Sequence, residues 1–306
     1  MSEYINQVWD LVDSFTMNPE HVTIDQESIE ELAPHIKEDI GEYRKEFSGM
    51  PACIKGGLYK DTHYEMVVYE LIANAINYRY WYGRPDVRLN KAGAVRMYEL
   101  LDECFNKWSP EAFSSSESCE RALSDFIRSI CRSRFPNLQD RVRHLEEVEK
   151  VLKDDYTWVR HLSEDINIGK ETVDDTIDNL VITLPGYSSD LFMKRIFLFI
   201  MQLNRDIGAF EKEIALIPVP ADYQLPKMLS WYGCLQYSDD LYNKIEKEEL
   251  IPAGSLMECE IRASTILACK KLAEAAKCTM QDTDTFLWLK RKECDMSFHL
   301  TITTDY

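Results

Sequence analysis

The sequence is poor in the residues that most often end helices and strands. Its 306 residues include only 11 glycines and 11 prolines. A fold built wholly from β-strands needs frequent turns, and turns draw heavily on these two residue types. Their scarcity therefore predicts a mainly helical protein.

The sequence also lacks long apolar runs and clustered cysteines. No stretch of about 18 uncharged apolar residues is present, which argues against a membrane span. The first residues, Met1–Tyr4, lack the basic and then apolar order of a secretory signal. The nine cysteines form neither a CxxC pair nor a zinc-ligand spacing. We therefore expect a cytoplasmic protein with no metal, no cofactor and no membrane partner.

Positive charge is scarce as well. Lys and Arg number 35 against 53 Asp and Glu, so the formal net charge is −18. Contacts to phosphates dominate the affinity of proteins for long nucleic acids and require a basic excess. The composition argues against a tight, non-specific DNA binder. It still permits an enzyme that acts on one nucleotide at a time through a local basic patch.

Apolar residues recur at helical spacing along most of the chain. Helices are predicted over residues 2–17, 61–81, 92–108, 120–133, 138–152 and 191–203, after Asp25 as an N-cap, and from about residues 224, 238 and 255. The polar stretch 164–178 divides an N-terminal helical subdomain, residues 1–165, from a second one, residues 166–306. The predicted fold is all-α, with two helical subdomains that form one compact unit and leave a cleft between them.

A short turn, Leu184-Pro185-Gly186, separates two apolar segments and is followed by Ser188. A tight glycine turn between helices presents backbone N–H groups that can hold a phosphate. The turn resembles the hairpin of the helix–hairpin–helix DNA glycosylase superfamily. That resemblance implies that Leu184, Gly186 and Ser188 contact a DNA backbone. An ordinary interhelical turn could have the same sequence.

Asp222 lies in the segment Ala221-Asp222-Tyr223-Gln224-Leu225-Pro226, directly after an apolar turn. In the glycosylase superfamily a catalytic aspartate follows the second helix of the hairpin, which makes Asp222 the leading candidate for the functional centre. Asp is also a favoured N-cap. Asp222 could instead cap the helix predicted to begin near residue 224.

Several further motifs occur together and in one order. They are Asn77-Tyr78-Arg79-Tyr80-Trp81, Lys194-Arg195, the Asp222 segment, Tyr237-Ser238-Asp239-Asp240-Leu241, and Phe298-His299 with Tyr306. Together they resemble the queuosine-nucleotide salvage glycosidases, whose fold is related to that of DNA glycosylases. The resemblance implies a DNA glycosylase-like helical fold.

The chain also departs from that family at several positions. Asn74 stands where the family has an aspartate, Pro220 where it has an aromatic residue, and Leu289 where it has an acidic one. A family histidine has no obvious counterpart between residues 49 and 60. Acidic groups could pair with the cationic side arm of queuine, so their loss would remove that attraction. The departures therefore favour a substrate other than queuosine.

A second branch of the superfamily provides the leading hypothesis. The chain resembles the phage thymine-hypermodification enzymes, described as alpha-glutamyl/putrescinyl thymine pyrophosphorylases or phosphomethyl-deoxyuridine transferases. They replace the phosphate of 5-phosphomethyl-deoxyuridine in DNA with an amine. This resemblance implies a bacteriophage enzyme in the host cytoplasm, with modified DNA and a small amine or amino acid as partners.

Two alternatives stay open. The first is a queuosine 5′-phosphate N-glycosidase that releases queuine. The second is a non-catalytic nucleic-acid-binding protein that kept the same fold.

The site hypothesis assigns roles by residue chemistry. Asp222 accepts a proton from the attacking amine or stabilises an electron-poor intermediate at the base. Lys194, or one of Arg84, Arg88 and Arg195, neutralises the departing phosphate. The expected substrate-binding residues are Asn77, Tyr80, Trp81, Arg84, Arg88, Arg195, Tyr223 and Asp239. Their aromatic rings would stack on a flipped base, and their arginines would bind phosphate. Each has a structural alternative: aromatic residues in the core, a solvated helix face for Lys194 and Arg195, and the first turn of a helix for Asp239.

Overall fold

The computed structural model describes residues 3–47, 63–81, 93–107, 116–154 and 156–306. Within these ranges the chain is mainly helical, which confirms the predicted fold class. The helices are α1 (Glu3–Thr16), α2 (Gln26–Phe47), α3 (His63–Ala75), α4 (Gly93–Lys107), α5 (Ser116–Arg132), α6 (Leu138–Asp154), α7 (Tyr156–Ile168), α8 (Val173–Thr183), α9 (Lys194–Ile207), α10 (Gln224–Trp231), α11 (Asp239–Glu246), α12 (Leu256–Ala276) and α13 (Met280–Lys290). None of the described helices is long and apolar enough to cross a bilayer.

The helix starts follow the capping signals of the sequence. Asp25 Oδ1 accepts a hydrogen bond from the Ser28 backbone N–H at 2.7 Å, at the beginning of α2. Ser238 and Ser255 cap α11 and α12 in the same way. Such caps satisfy backbone donors that have no partner within the helix. Helix α13 was not predicted, although Thr279 and Asp282 form a capping box at its start.

The N-terminal segment of the chain packs against elements from its last third. Strand β1 (Val22–Ile24) pairs with β2 (Leu235–Tyr237) in a small antiparallel sheet, with Val22 opposite Tyr237. Helix α12 packs on α1 and α2, while α9 packs on α3. One hydrophobic core draws residues from both predicted subdomains. The predicted division after residue 165 falls inside α7.

Helix α3 is shorter than its sequence pattern predicts. Apolar periodicity suggested a helix from residue 61 to residue 81, but α3 ends at Ala75, and residues 76–81 are irregular. Arg79 has a positive φ of 23°, which a right-handed helix does not accommodate. The early end of α3 directs the aromatic motif away from the helix axis.

A buried polar network links α3 to α4 and α9. Asn74 Nδ2 donates to Glu70 Oε2 at 3.2 Å and to Gln202 Oε1 at 2.6 Å. Gln202 Nε2 in turn donates to the Tyr98 hydroxyl at 2.5 Å. Asn74 and Glu70 are fully buried. Burial is the main cause that raises the pKa of Glu70 well above its ordinary value, and the nearby Asp206 carboxylate adds to the rise.

This network makes the stability of the fold depend on pH. The folded chain binds the Glu70 proton more tightly than the unfolded chain does, so the contribution of Glu70 to stability is greatest at low pH. It falls as the pH rises through the pKa of the folded state. We expect Glu70→Gln to raise the Tm at pH 8 by about 2 °C or more, and by less at pH 5. Thermal unfolding at the two pH values measures the difference. The exposed Glu31→Gln provides the control, and an equal Tm change at both pH values would contradict the prediction.

Candidate active site

A cavity of about 320 Å³ is lined by residues from several of the sequence motifs. Its volume is in the range of small-molecule sites, roughly 300–1,000 Å³. The lining residues are Asn77, Tyr78, Arg79, Tyr80, Trp81, Gly93, Ala94, Lys194, Asp222, Tyr223, Gln224, Lys227, Trp288, Arg291, Lys292, Cys294, Asp295, Phe298 and Tyr306. Segments far apart in the sequence therefore form a single site.

Arg141 of α6 fixes the wall formed by residues 76–81. Its guanidinium donates to the carbonyl of Ile76, and to those of Tyr78 and Arg79 at 2.6 and 2.7 Å. The guanidinium carbon lies 4.4 Å from the centroid of the Tyr78 ring. Arg141 is fully buried. The planar fork of donors satisfies carbonyls that the helix has released, which explains why the chain can leave α3 at this point.

Side chains in the first turn of α9 also bind backbone carbonyls at the end of α3 and in the segment that follows it. Lys194 Nζ donates to the carbonyl of Asn77 at 2.7 Å, and Arg195 Nη1 donates to the carbonyl of Ala75 at 2.8 Å. The Arg195 guanidinium lies 5.2 Å from the ring centroid of Tyr78 and 5.0 Å from that of Tyr187. Lys194 lines the cavity, whereas Arg195 is buried behind it. The alternative of a solvated helix face is therefore wrong for both residues.

Asp222 lies at the N-terminus of α10 and lines the cavity. Its Oδ1 accepts hydrogen bonds from the backbone N–H groups of Gln224 at 2.7 Å and Leu225 at 3.3 Å. Its Oδ2 has no hydrogen-bond donor among the described residues. The carboxylate is therefore held in one orientation by one oxygen, while the other oxygen is available to a ligand.

Two further titratable groups surround Asp222. Burial lowers the pKa of Lys194 to about 8, although the charges of Asp222 and Asp284 oppose this shift. Burial is also the largest cause that raises the pKa of Asp284 to about 7; the charge of Asp222 adds to the rise, and Lys194 opposes it. Asp284 lies inside α13, and no sequence motif distinguishes it from a solvent-exposed helical aspartate. Groups that titrate near neutral pH beside a carboxylate are typical of active sites.

Aromatic rings form one side of the cavity. The rings of Tyr223 and Phe298 lie 4.8 Å apart between centroids, and those of Trp81 and Phe298 lie 6.4 Å apart. The Tyr80 backbone N–H donates to the Tyr223 hydroxyl at 3.4 Å. The predicted stacking residues are therefore brought together, and Phe298 extends them. Flat rings at this spacing can bind a planar base.

Residues at the end of α13 and in the segment that follows it also line the cavity. The Arg291 guanidinium lies 3.3 Å from the centroid of the Trp288 ring and donates to the Trp288 carbonyl. Lys227 Nζ donates to the carbonyls of Arg291 and Cys294 at 3.3 and 3.1 Å. The late tryptophan was the only sequence signal for this wall. Trp288 marks the position of Leu289, but it does not indicate that Arg291 lines the cavity.

Of the described residues predicted to recognise substrate, Asp239 lies away from the cavity lining. Asp239 is exposed in the first turn of α11, as its structural alternative predicted. Arg84 and Arg88 lie outside the described residues, as does the loop at residues 49–60 in which a histidine was sought. The cavity has Asn77, Tyr80, Trp81, Tyr223, Lys194 and Asp222 from the predicted set.

Three departures from the salvage glycosidases, at Asn74, Pro220 and Leu289, lie outside the cavity lining. Asn74 belongs to the buried network of α3, and its amide is engaged by Glu70 and Gln202. Pro220 and Leu289 are buried and do not line the cavity. These three differences therefore do not alter the described wall of the site, and they give no reason to exclude a queuosine-like substrate.

The Leu184–Gly186 turn is packed against α6 and is not open to a phosphate. Residues Pro185–Tyr187 form one 3₁₀ turn, and the Gly186 N–H donates to the Glu147 carboxylate at 3.2 Å. A Cβ placed at Gly186 would lie 2.7 Å from His144 Cδ2, so only glycine fits. Leu184 is buried and Ser188 is exposed. The Glu147 carboxylate accepts the hydrogen bond of the Gly186 N–H, which was expected to bind a DNA phosphate. Its negative charge would repel a phosphate.

The chain matches the family described as queuosine salvage protein over residues 58–304. This match covers most of the sequence and every residue that lines the described cavity except Tyr306. The chain belongs to the queuosine salvage protein family. The predicted resemblance to salvage glycosidases is thereby confirmed.

Relatives within the queuosine salvage family carry a more specific name. The queuosine 5′-phosphate N-glycosylase/hydrolase of Sphaerobacter thermophilus is 26% identical over 237 residues, which cover 71% of this chain and 72% of the relative. The protein of that name from Mus musculus is 27% identical over 220 residues, covering 64% and 63%. The one from Schizosaccharomyces pombe is 25% identical over 212 residues, covering 64% and 60%.

The hypothesis of a phage DNA-modifying transferase is wrong. The queuosine salvage family and its glycosylase/hydrolase relatives overturn it and favour the alternative of a nucleotide N-glycosidase. Two structural facts explain the error: Asn74, Pro220 and Leu289 do not face the cavity, and the Gly186 N–H is bound by Glu147.

The role of Arg141 can be tested by a conservative change. Lysine keeps the charge but cannot offer a planar fork to three carbonyls. We expect Arg141→Lys to lower the free energy of unfolding by roughly 2–4 kcal/mol, because buried carbonyls lose their donors. Chemical denaturation measures the loss. Arg143→Lys, on the same helix and 60% exposed, serves as the control, and equal stability of the two variants would contradict the assigned role.

Proposed function

We propose that this chain is an N-glycosidase that hydrolyses queuosine 5′-phosphate and releases queuine. The observation that carries the proposal is the Asp222 carboxylate, which is capped through Oδ1 and offers Oδ2 to a nucleotide-sized cavity. Family membership and the names of the relatives supply the substrate class. The partner is then a free nucleotide in place of DNA.

Hydrolysis requires that positive charge develop on the sugar. As the bond between C1′ and the base nitrogen breaks, its electron pair leaves with the base, and the ribose becomes oxocarbenium-like. A carboxylate beside C1′ lowers the energy of that charge. The two backbone N–H groups at the start of α10 fix the position of Asp222, so little reorganisation is needed during the reaction.

The proton balance assigns a role to Lys194. Water forms a bond to C1′ and gives one proton to Asp222, while the departing base nitrogen takes a proton from the Lys194 ammonium. Exchange with solvent then restores both groups. A lysine whose pKa is lowered to about 8 holds its proton at neutral pH but can release it to a developing anion.

The aromatic wall supplies orientation. Trp81, Tyr223 and Phe298 would stack against the base and hold the ribose next to Asp222. A correctly positioned reactant loses less entropy on the way to the transition state. Asn77 contributes through its carbonyl, which fixes the Lys194 ammonium.

We also propose that the fold is related to that of DNA glycosylases. The order of helices, the turn at residues 184–186 and the downstream aspartate support this relation. In this chain the turn would have a structural role, since α6 covers it through His144 and Glu147.

Substitution of Asp222 tests the proposal directly. Asp222→Asn keeps the shape but removes the negative charge, so we expect the release of queuine from queuosine 5′-phosphate to fall by about 10²–10³-fold. Chromatographic measurement of free queuine gives the rate. Asp239→Asn serves as the matched control, because Asp239 is exposed outside the cavity. No release by the wild type, or full activity of Asp222→Asn, would reject the proposal.

The charge of Asp284 predicts a shift in pH dependence. The nearby Asp284 carboxylate raises the pKa of Lys194 against the effect of burial. Removal of that charge in Asp284→Asn should lower the Lys194 pKa further. Since the protonated lysine is the active form, kcat/KM should fall at a lower pH in Asp284→Asn than in the wild type, where the fall is expected near pH 8. A pH–rate profile from pH 5 to 10 measures the shift. If kcat/KM of Asp284→Asn falls at the same pH as that of the wild type, or at a higher pH, the coupling between Asp284 and Lys194 is excluded.

A further inference from the structure

A buried ion pair joins Arg262 of α12 to Asp190, which lies shortly before α9. Nη1 donates to Oδ1 at 2.7 Å and Nη2 donates to Oδ2 at 2.8 Å. Each side chain is only 3% exposed, and neither residue lines the described cavity. Apolar residues of similar volume can often replace a buried ion pair without loss of stability. The pair is therefore weak evidence for a role in stability alone, and its further contacts indicate another role.

The Asp190 carboxylate holds the start of α9. Its Oδ1 accepts a hydrogen bond from the Phe192 backbone N–H at 3.0 Å, and its Oδ2 accepts one from the Lys194 N–H at 2.8 Å. Between these two residues, Met193 has a positive φ of 51°. A residue with a side chain keeps that conformation only where its surroundings enforce it. Asp190 thus restrains the backbone from which Lys194 Nζ reaches the carbonyl of Asn77.

The Arg262 guanidinium holds the residue that precedes Asp222. Its Nε donates to the Ala221 carbonyl at 3.1 Å, while Asp222 Oδ1 caps α10 on the other side. The guanidinium carbon also lies 4.8 Å from the ring centroid of Phe192 and 4.3 Å from that of Tyr306. Hydrogen bonds along the edge of the fork and rings near its faces restrict the guanidinium to one orientation.

The ion pair therefore connects the backbones of the two groups that the proposed reaction uses. The connection runs from the Lys194 N–H through Asp190 and Arg262 to the carbonyl of Ala221. Burial lowers the pKa of Lys194, and the charge of Asp222 is the next largest influence on it, so the two side chains interact. Both must face the same bond between C1′ and the base. A displacement of about 1 Å can lower a rate by roughly 100-fold.

We propose that the Asp190–Arg262 pair is a positioning device that sets the separation between Lys194 and Asp222. The inference rests on the proposed N-glycosidase function. Both residues of the pair act through the backbone of neighbours that line the cavity. Arginine suits this role because its planar fork binds Asp190 and the Ala221 carbonyl at fixed angles, which a lysine ammonium cannot do.

Arg262→Lys tests the device while it keeps the charge. We expect kcat for the release of queuine from queuosine 5′-phosphate to fall about 10- to 100-fold, and KM to change less than about threefold, because the cavity lining is intact. Arg205→Lys is the matched control, since Arg205 pairs with Asp206 about three turns further along α9. It should keep the kcat of the wild type. An unchanged kcat in Arg262→Lys would overturn the proposal.

A double variant separates positioning from folding. Asp190→Asn combined with Arg262→Met removes both charges, so no unpaired charge stays buried and the chain should still fold. Asparagine keeps one oxygen that can accept a hydrogen bond at the start of α9, but the connection to Ala221 is lost. We expect the same fall in kcat at a Tm within a few degrees of the wild type. A folded double variant with the kcat of the wild type would also overturn the proposal.

The pKa of the Lys194 ammonium provides a measurement that a purely structural role would not change. Apart from burial, the influences on it are the charges of Asp222, Arg195, Asp284 and Asp190. Arg262→Lys keeps all of these charges, so the pKa should fall only if Lys194 and Asp222 move apart. An NMR titration of isotope-labelled lysine side chains, assigned with Lys194→Arg, should give about 8 in the wild type and a lower value in Arg262→Lys. Equal values would overturn the proposal.

The titration does not depend on turnover, so the two proposals can fail separately. A lower Lys194 pKa in Arg262→Lys, without release of queuine by the wild type, would reject the proposed function alone. Release of queuine by the wild type, with an unchanged kcat and an unchanged Lys194 pKa in Arg262→Lys, would reject the role of the ion pair alone.

Discussion

The site depends on the contact between Arg141 and the chain that leaves α3. An apolar helical pattern continues to Trp81, yet the carbonyls of Ile76, Tyr78 and Arg79 are bound by one guanidinium from α6. Those carbonyls would be costly to bury without donors. Because Arg141 satisfies them together, the chain can turn out of the helix and form a wall of the cavity. Its contact with the Tyr78 ring also stabilises this buried cation, which has no carboxylate partner among the described residues.

Buried arginines also explain how a protein with an acidic composition could bind the proposed anionic substrate. The net charge of −18 describes the whole surface, whereas the charge at the site depends on a few buried groups. Arg141 and Arg195 bind carbonyl oxygens, so their charges are not cancelled by carboxylates in these contacts. Arg79 adds a third guanidinium. The proposed binding of a nucleotide therefore needs no basic surface.

Local signals in the sequence were sufficient for most helices and for Asp222. Caps such as Asp25 and Ser255 bind a backbone N–H three residues later. The Asp222 segment likewise contains both the capping residue and the first residues of the helix that it caps. The end of α3 could not be predicted, because Arg141 is distant in sequence. Asp284 was missed since a buried acid inside a helix differs from a solvated one only in its tertiary contacts. Asn74 was misread because a sequence position does not say whether a side chain faces the cavity or the core.

The two interpretations of Asp222, helix cap and catalytic group, are compatible in the structure. Oδ1 accepts from the N–H groups of Gln224 and Leu225, as a cap does. That contact restrains the rotation of the carboxylate and leaves Oδ2 without a donor among the described residues. In this site the cap therefore supplies the fixed orientation on which the proposed catalysis depends, while Lys194 and Asp284 set the proton balance around it.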